Sequence, residues 1–333
     1  MNKYDIYGIG NALVDVEFEV EDSFFKDHNI GKGLMTLVDD DRQDELMQAI
    51  GAMRIKKQGG GSAANSMIAN SQLGGRSFYS CKVANDDYGL FYLESLKEAG
   101  VDTNLNIEAL EGGKTGRCLV MITPDADRTM NTFLGITSSL DAYSLNEQAM
   151  ASSKYLYIEG YLVTNELGRN AMGEAKTMAE KHGVKTSLTL SDPSIVKAFR
   201  NKFDQLIGKG VDLLFCNEFE AMEFTGTDSL PSAREALKQV AHSFAITLGQ
   251  NGATIFDGDT FIDIESYPVM ALDSNGAGDM FAGAFLYGIT HGHSFAQAGK
   301  LASLASSRVV AQFGPRLNEQ EMKHILNKVT QPF

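Results

Sequence analysis

From residue 155 onward the chain repeats one pattern, a short apolar strand followed by an amphipathic helix. YLYIEG leads into a helix over 166–182, VKTSLTL into one over 194–208, and VDLLFC into one over 217–225 with a second behind it. SFAITLG, an expected hairpin at 253–264 and two or three closing helices complete the series. Strands that alternate with helices pair in parallel and need cover on each face. The expectation is an α/β fold with a mostly parallel central sheet and helices on both faces.

The first 150 residues have a different texture. Residues 4–10 (YDIYGIG) read as a strand ending at a turn that carries Asn11 and Asp15, and VEFEV (16–20) alternates like a strand with one wet face. Residues 21–38 are mixed, a helix is expected over 40–53, a strand from 77 and a helix over 86–99. Two strand-like stretches, 116–122 and 128–134, flank the turn PDADR and look antiparallel, so they are expected to leave the main sheet. Six prolines, no repeat and no Pro/Gly/Ser-rich linker argue for one domain over 1–333.

Two glycine-rich turns stand out. In QGGGSAANSMIANSQLGG (58–75), three glycines precede Ser62, and Asn65 lies on the first turn of an apolar-faced helix. The GKS/T ending of a P-loop is missing. The spacing is not that of a dinucleotide fingerprint, and no strand is expected directly before it. The turn is either a flexible loop capped by Ser62 or a grip on a polar small molecule by backbone, Ser62 and Asn65. The second turn lies in ALDSNGAGDMFAGAFLYGI (271–289), where Gly276, Ala277 and Gly278 lead into a small, apolar helix. Such a turn brings unpaired N–H groups and the positive end of a helix dipole to one spot, which suits a phosphate. Asp279 is either an ordinary first-turn acid or a base that takes a proton from a hydroxyl attacking a phosphoryl group.

Charge narrows the partners. A net charge of −14 argues against nucleic acid or an anionic membrane, and means that a polyphosphate must be held locally. No run of 18 apolar residues exists and the N-terminus lacks signal-peptide architecture, so a cytoplasmic protein is expected. Three scattered cysteines imply a reduced compartment, and His291 and His293 have no partner at zinc spacing.

In an open α/β sheet, ligands bind beyond the carboxyl ends of the strands. Asn11, Asp15, residues 60–65 (with Gly60, Gly61, Ser62 and Asn65), Asp192, Asn217, Glu220, Gly249 and Asp279 all fall there or at helix starts. Asn217 and Glu220, three apart in NEFE, suit either a helix cap or the water shell of a Mg²⁺ ion on ATP phosphates.

Together DSNGAGD, GGGSAAN and NEFE resemble the ribokinase-like (PfkB) family over essentially the whole chain, with Ser274 where the family usually has Thr. The resemblance implies phosphoryl transfer from ATP, the co-substrate, to a hydroxymethyl group of a sugar or nucleoside. It implies Asp279 as general base and the amides of Gly276, Ala277 and Gly278 as anion hole. It further implies Mg²⁺ organised by Asn217 and Glu220, and a nucleotide lying against Thr247, Gly249 and Gly252. A small β-sheet lid would be built from about 12–38 and 112–136, and from it Arg128 would approach the transferring group. K⁺ dependence stays open, since Asp273, Asn275 and Gly314 lie where some relatives bind it. A monomer or homodimer is expected.

Within the family, GNALVD and Ser62 in place of lysine are most similar to the adenosine-kinase branch. That branch implies Asp15, Gly61, Ser62 and Asn65 on ribose hydroxyls, with Asn11 nearby. Leu13, Leu37, Met130 and Tyr161 are candidates for a floor under the base. Another ribonucleoside or a free sugar remains an alternative acceptor. A non-catalytic binding protein or an ATP-independent hydrolase is the reading from a different class, and the intact GAGD turn argues against it.

Overall fold

A computed structural model describes residues 3–33, 35–51, 56–124 and 128–330. Strand β1 (Tyr4–Ile9) starts the main sheet. The chain then crosses to a second sheet for β2 (Leu13–Glu19), helix α1 (Asp22–Asp27), β3 (Met35–Leu37), α2 (Asp40–Ile50) and β4 (Lys56–Gly60). It returns with α3 (Ser62–Gln72), β5 (Ser77–Ser80), α4 (Asp87–Glu98) and β6 (Val101–Asp102), and crosses again for β7 (Gly116–Ile122) and β8 (Arg128–Phe133). The remainder alternates: α5 (Glu147–Ala151), β9 (Ser153–Ile158), α6 (Glu166–Lys181), β10 (Lys185–Thr189), α7 (Pro193–Ile207) and β11 (Val211–Asn217). Then come α8 (Glu218–Thr225), α9 (Leu230–Leu237), β12 (Ala241–Thr247), β13 (Ala253–Phe256), β14 (Phe261–Ile264), α10 (Ala277–Thr290), α11 (Phe295–Val309) and α12 (Glu319–Thr330).

The main sheet runs β14-β13-β12-β11-β10-β9-β1-β5-β6, parallel except for the β13–β14 hairpin at one edge. Its strands carry apolar side chains to both faces. From β1, Ile6 enters a core with α3, α10 and α11, while Tyr7 and Ile9 enter another with α6 to α9. That double burial is why these segments read as continuous apolar runs rather than alternating ones. Among the described residues, no helix is long and apolar enough to cross a membrane.

The second sheet runs β3-β8-β7-β2-β4. Val16 and Phe18 point outward into a small core with Phe25 of α1 and Leu46 and Ile50 of α2. Asp15 and Glu17 take the opposite face, but that face is not wet: both are buried, 8% and 6% exposed, because it looks toward the main sheet. The alternation was real and its solvent reading was wrong. A second correction concerns the glycine run. A strand, β4, does directly precede it, paired antiparallel to β2. Its sequence, KKQGG, has no β-branched or aromatic residue, so edge pairing rather than propensity makes it a strand. The stretch at 21–38, without a pattern in the sequence, holds α1 and β3.

Candidate active site

The carboxyl ends of β1, β9, β10, β11 and β12 open into a cleft of about 690 Å³, within the range of small-molecule sites. Asn11, Asp15, Gly61, Ser62, Asn65, Tyr161, Asp192, Asn217, Glu220, Thr247 and Gly249 line it, as do residues 276–279. Gly60 and Gly252 do not. Gly60 lacks a side chain because the Asp15 carboxylate fills that space, and Gly252 turns tightly against the Ile264 carbonyl at φ +84°. Arg128 starts β8, and its side chain lies outside the described residues.

Two helix N-termini converge on Asp279. Both begin at a glycine with positive φ, Gly61 (+96°) for α3 and Gly276 (+74°) for α10. A Cβ at Gly61 would strike the Asn11 carbonyl, and one at Gly276 would strike Pro315. Gly283 lets the two helices touch, since a Cβ there would meet Ser66 and Ala69 of α3. The close crossing brings Ser62 Oγ to Asp279 Oδ1 (2.6 Å) and Asn65 Nδ2 to Asp279 Oδ2 (2.9 Å), both donating. Burial raises the Asp279 pKa, and the Ser62 and Asn65 hydrogen bonds and the Arg316 charge oppose that rise. Ser62 and Asn65, two of the residues expected on ribose hydroxyls, therefore hold the carboxylate in this structure.

The sequence reading missed Glu159, at the end of β9. It is 1% exposed. Oε1 accepts from Asn11 N (3.2 Å) and Nδ2 (2.7 Å), and Oε2 from Ala63 N (2.9 Å). Desolvation pushes its pKa up to about 7, partly offset by those donors. The acid closing YLYIEG was the available signal. Asn11 Oδ1 is buried with no partner among the described residues, an acceptor facing the need for a donor. Arg316, also missed, lies in a loop after α11 and reaches Asn65 from behind; nothing in its local sequence marks it.

At the other end of the cleft, Asn217 and Glu220 form a reciprocal capping box on α8. Glu220 accepts from Asn217 N (2.9 Å) and Nδ2 (2.7 Å), and desolvation holds its pKa up at about 7. Asp273 is buried and accepts from Asn275 N and Gly314 N, fastening the turn before α10 to the 310–314 segment. The opposite wall combines Asp15 with Leu13, Met35, Leu37, Met130 and Leu134, while Tyr161 lines the main-sheet side. No Lys, Arg or His lines the cleft among the described residues.

This arrangement pairs an anion-attracting helix start with a half-buried carboxylate beside a partly apolar chamber. Residues 30–322 match the pfkB family carbohydrate kinases. The chain belongs to that family. This PfkB kinase is therefore a phosphotransferase with an alcohol acceptor. An adenosine kinase from Sinorhizobium meliloti superposes with a TM-score of 0.90 at 34% identity, covering 98% of this chain and 100% of that one. A probable sugar kinase from Rhizobium etli CFN 42 does so at 0.90 and 32%, covering 98% and 99%. The 5-dehydro-2-deoxygluconokinase of Bacillus licheniformis is 27% identical over 270 residues, 78% of this chain and 83% of that protein. Nucleoside and sugar kinases both stand among the relatives of this PfkB kinase.

Proposed function

We propose that the protein transfers the γ-phosphoryl group of ATP to the 5′-hydroxyl of adenosine. The observation that carries this reading is the acceptor wall. A free sugar needs polar partners on every side, whereas five apolar side chains stand here beside Asp15. A chamber of that kind suits a ribose with a flat, uncharged base. The lack of a cation on the described wall disfavours a sugar acid or sugar phosphate. The likeness to the Sinorhizobium meliloti adenosine kinase points the same way.

In this reading Asp279 accepts the 5′-hydroxyl proton, and the α10 amides face the transferring group. Asp15 and Asn11 Oδ1 take ribose hydroxyls, and the second sheet acts as a lid. Thr247 and Gly249 face the nucleotide. Mg²⁺ fits the donor set in one manner only. Glu220 spends one lone pair of each oxygen on Asn217. No group of three acidic, His or Cys side chains could hold a metal ion directly among the described residues. Asn217 and Glu220 would thus hold the ion through water, and when bound it neutralises phosphate charge. Replacing K⁺ by tetramethylammonium tests whether the Asp273 turn needs a monovalent ion. We place the protein in the cytoplasm.

The deciding experiment compares kcat/KM for adenosine, 2′-deoxyadenosine, ribose and fructose. Adenosine should lead and the deoxy analogue trail far behind, because a site built for a hydroxyl leaves polar groups unpaired without it. Asp15→Ala should lower adenosine kcat/KM about 10–100-fold, the worth of a hydrogen bond to a charged group, and shrink that gap. A free sugar outperforming every nucleoside would overturn the acceptor assignment.

A further inference from the structure

Arg316 is a half-buried arginine that does not line the cleft, yet it sits one residue away from the reacting carboxylate. Its Nε donates to Asn65 Oδ1 at 2.9 Å, and its Nη1 donates to Ser95 Oγ on α4 at 3.0 Å. Nη2 has no partner among the described residues. The guanidinium lies beneath the peptide of Gly59 in β4, where a Cβ would come within 3.0 Å of Nη1. The same loop is fixed at other points. Gln312 Nε2 donates to the Arg316 carbonyl, and Pro315 covers Gly276 at the start of α10.

An asparagine side chain offers two nearly isosteric orientations, and its neighbours choose between them. Arginine only donates, so Nε demands the amide oxygen. With the oxygen so placed, the Asn65 NH₂ has to face Asp279, where it donates at 2.9 Å. The flipped amide would set NH₂ against the guanidinium and oxygen against the carboxylate, two repulsions in place of two hydrogen bonds. We infer that Arg316 is a positioning residue that locks the Asn65 amide in the orientation donating to Asp279 and so sets the proton affinity of the base. The inference rests on the reading of Asp279 as the base.

Burial disfavours the charge of Asp279, and that charge in turn raises the proton affinity of Tyr157 in β9 and Glu159 at its end, of Tyr161 and of Glu220 on α8, on which Asp192 at the start of α7 also acts. Against that burial stand the Ser62 and Asn65 donors and one cation, Arg316. Asp15 also draws on that cation. Burial lowers the guanidinium's own pKa, but an arginine stays charged at neutral pH. Neutral Asp279 could not take the acceptor's proton, so a lost lock should appear as a rate that fails earlier on the acid side.

The test is the pH profile of kcat/KM for wild type, Arg316→Gln and Arg316→Lys, each checked for folding by thermal melting. Arg316→Gln should move the acid limb upward by about one pH unit, the scale of a lost opposite charge at close range. Arg316→Lys keeps bulk and charge but not the Nε contact, and should move it upward by less. If the Gln variant does not fold, the Lys variant decides alone. In an Asn65→Ala background Arg316→Lys should move the limb hardly at all, because the amide through which it acts is gone. An acid limb unmoved in folded Arg316 variants overturns the inference, and so does a full additive shift in the Asn65→Ala background. Asp279→Asn separates the two ideas. If it keeps turnover, the base reading falls; if it loses turnover while the Arg316 limbs stay put, this inference alone falls.

Discussion

The starts of α3 and α10 are built alike and used oppositely. Each opens on a glycine with positive φ, each leads a helix of small residues, and the two lie side by side. At α3 the first-turn amide of Ala63 is already taken by the protein's own Glu159. At α10 no side chain caps the turn, and residues 276–279 line the cleft. A helix start attracts an anion in either case. Whether it serves architecture or a ligand depends on whether the chain supplies the anion itself.

The largest effect should come from the open start. Asp279→Asn is expected to lower turnover by roughly 10²–10⁴-fold, the worth of a positioned general base. ATP and adenosine should still bind, as read by calorimetry. Turnover within a few-fold of wild type would remove Asp279 from that role and leave α10 with an anion site alone.

The closed start should respond in stability. Glu159→Ala strips the acceptor from three N–H groups and should cost about 1–3 kcal/mol, since each is left buried and unpaired. Formate, a carboxylate small enough for the gap, should restore part of the melting temperature where chloride does not. No recovery would mean that the α3 start is not an occupied anion site. The wild-type carboxylate also carries a pH signature. Its folded pKa, about 7, stands above the ordinary 4.5, so the folded state binds the extra proton. Its contribution is complete below about 4.5 and is lost as pH rises toward about 7. Glu220 adds a like slope, so Glu159→Gln should flatten the decline of melting temperature with pH without abolishing it.

The smallest effect belongs to the metal. Glu220→Gln keeps a capping side chain but loses a charge that the proposed function sets near the phosphates, and should raise the Mg²⁺ needed for half-maximal rate a few-fold. An unchanged Mg²⁺ titration would leave the Asn217–Glu220 pair as a helix cap and nothing more.

These contrasts also mark what was legible in the sequence. The parallel sheet could be read because each strand and helix announces itself locally, by apolar runs and caps such as Asp192 and Asn217. The GAGD turn was legible because glycine, small residues and an acid at a helix start have few joint uses. β4 was not, because its pairing comes from β2 and not from its own composition. Glu17 was misread because a charged residue at an alternating position says nothing of what the sheet faces. Arg316 was invisible for a related reason: it meets Asn65 across 251 positions, and only the folded chain shows that contact.

The second sheet has one more consequence, for the order in which the molecule assembles. It is woven from two stretches separated by α3 to β6, and β2 pairs in parallel with β7 across about a hundred residues. Neither stretch can complete that sheet alone, and closing so long a loop costs entropy before any pairing repays it. The main sheet from β9 to β12 pairs in sequence order and meets no such delay. We expect refolding to give the β9–β12 side of the cleft first and the wall from the second sheet last, so that a chain part-way to its native state would hold one half of its site before the other exists.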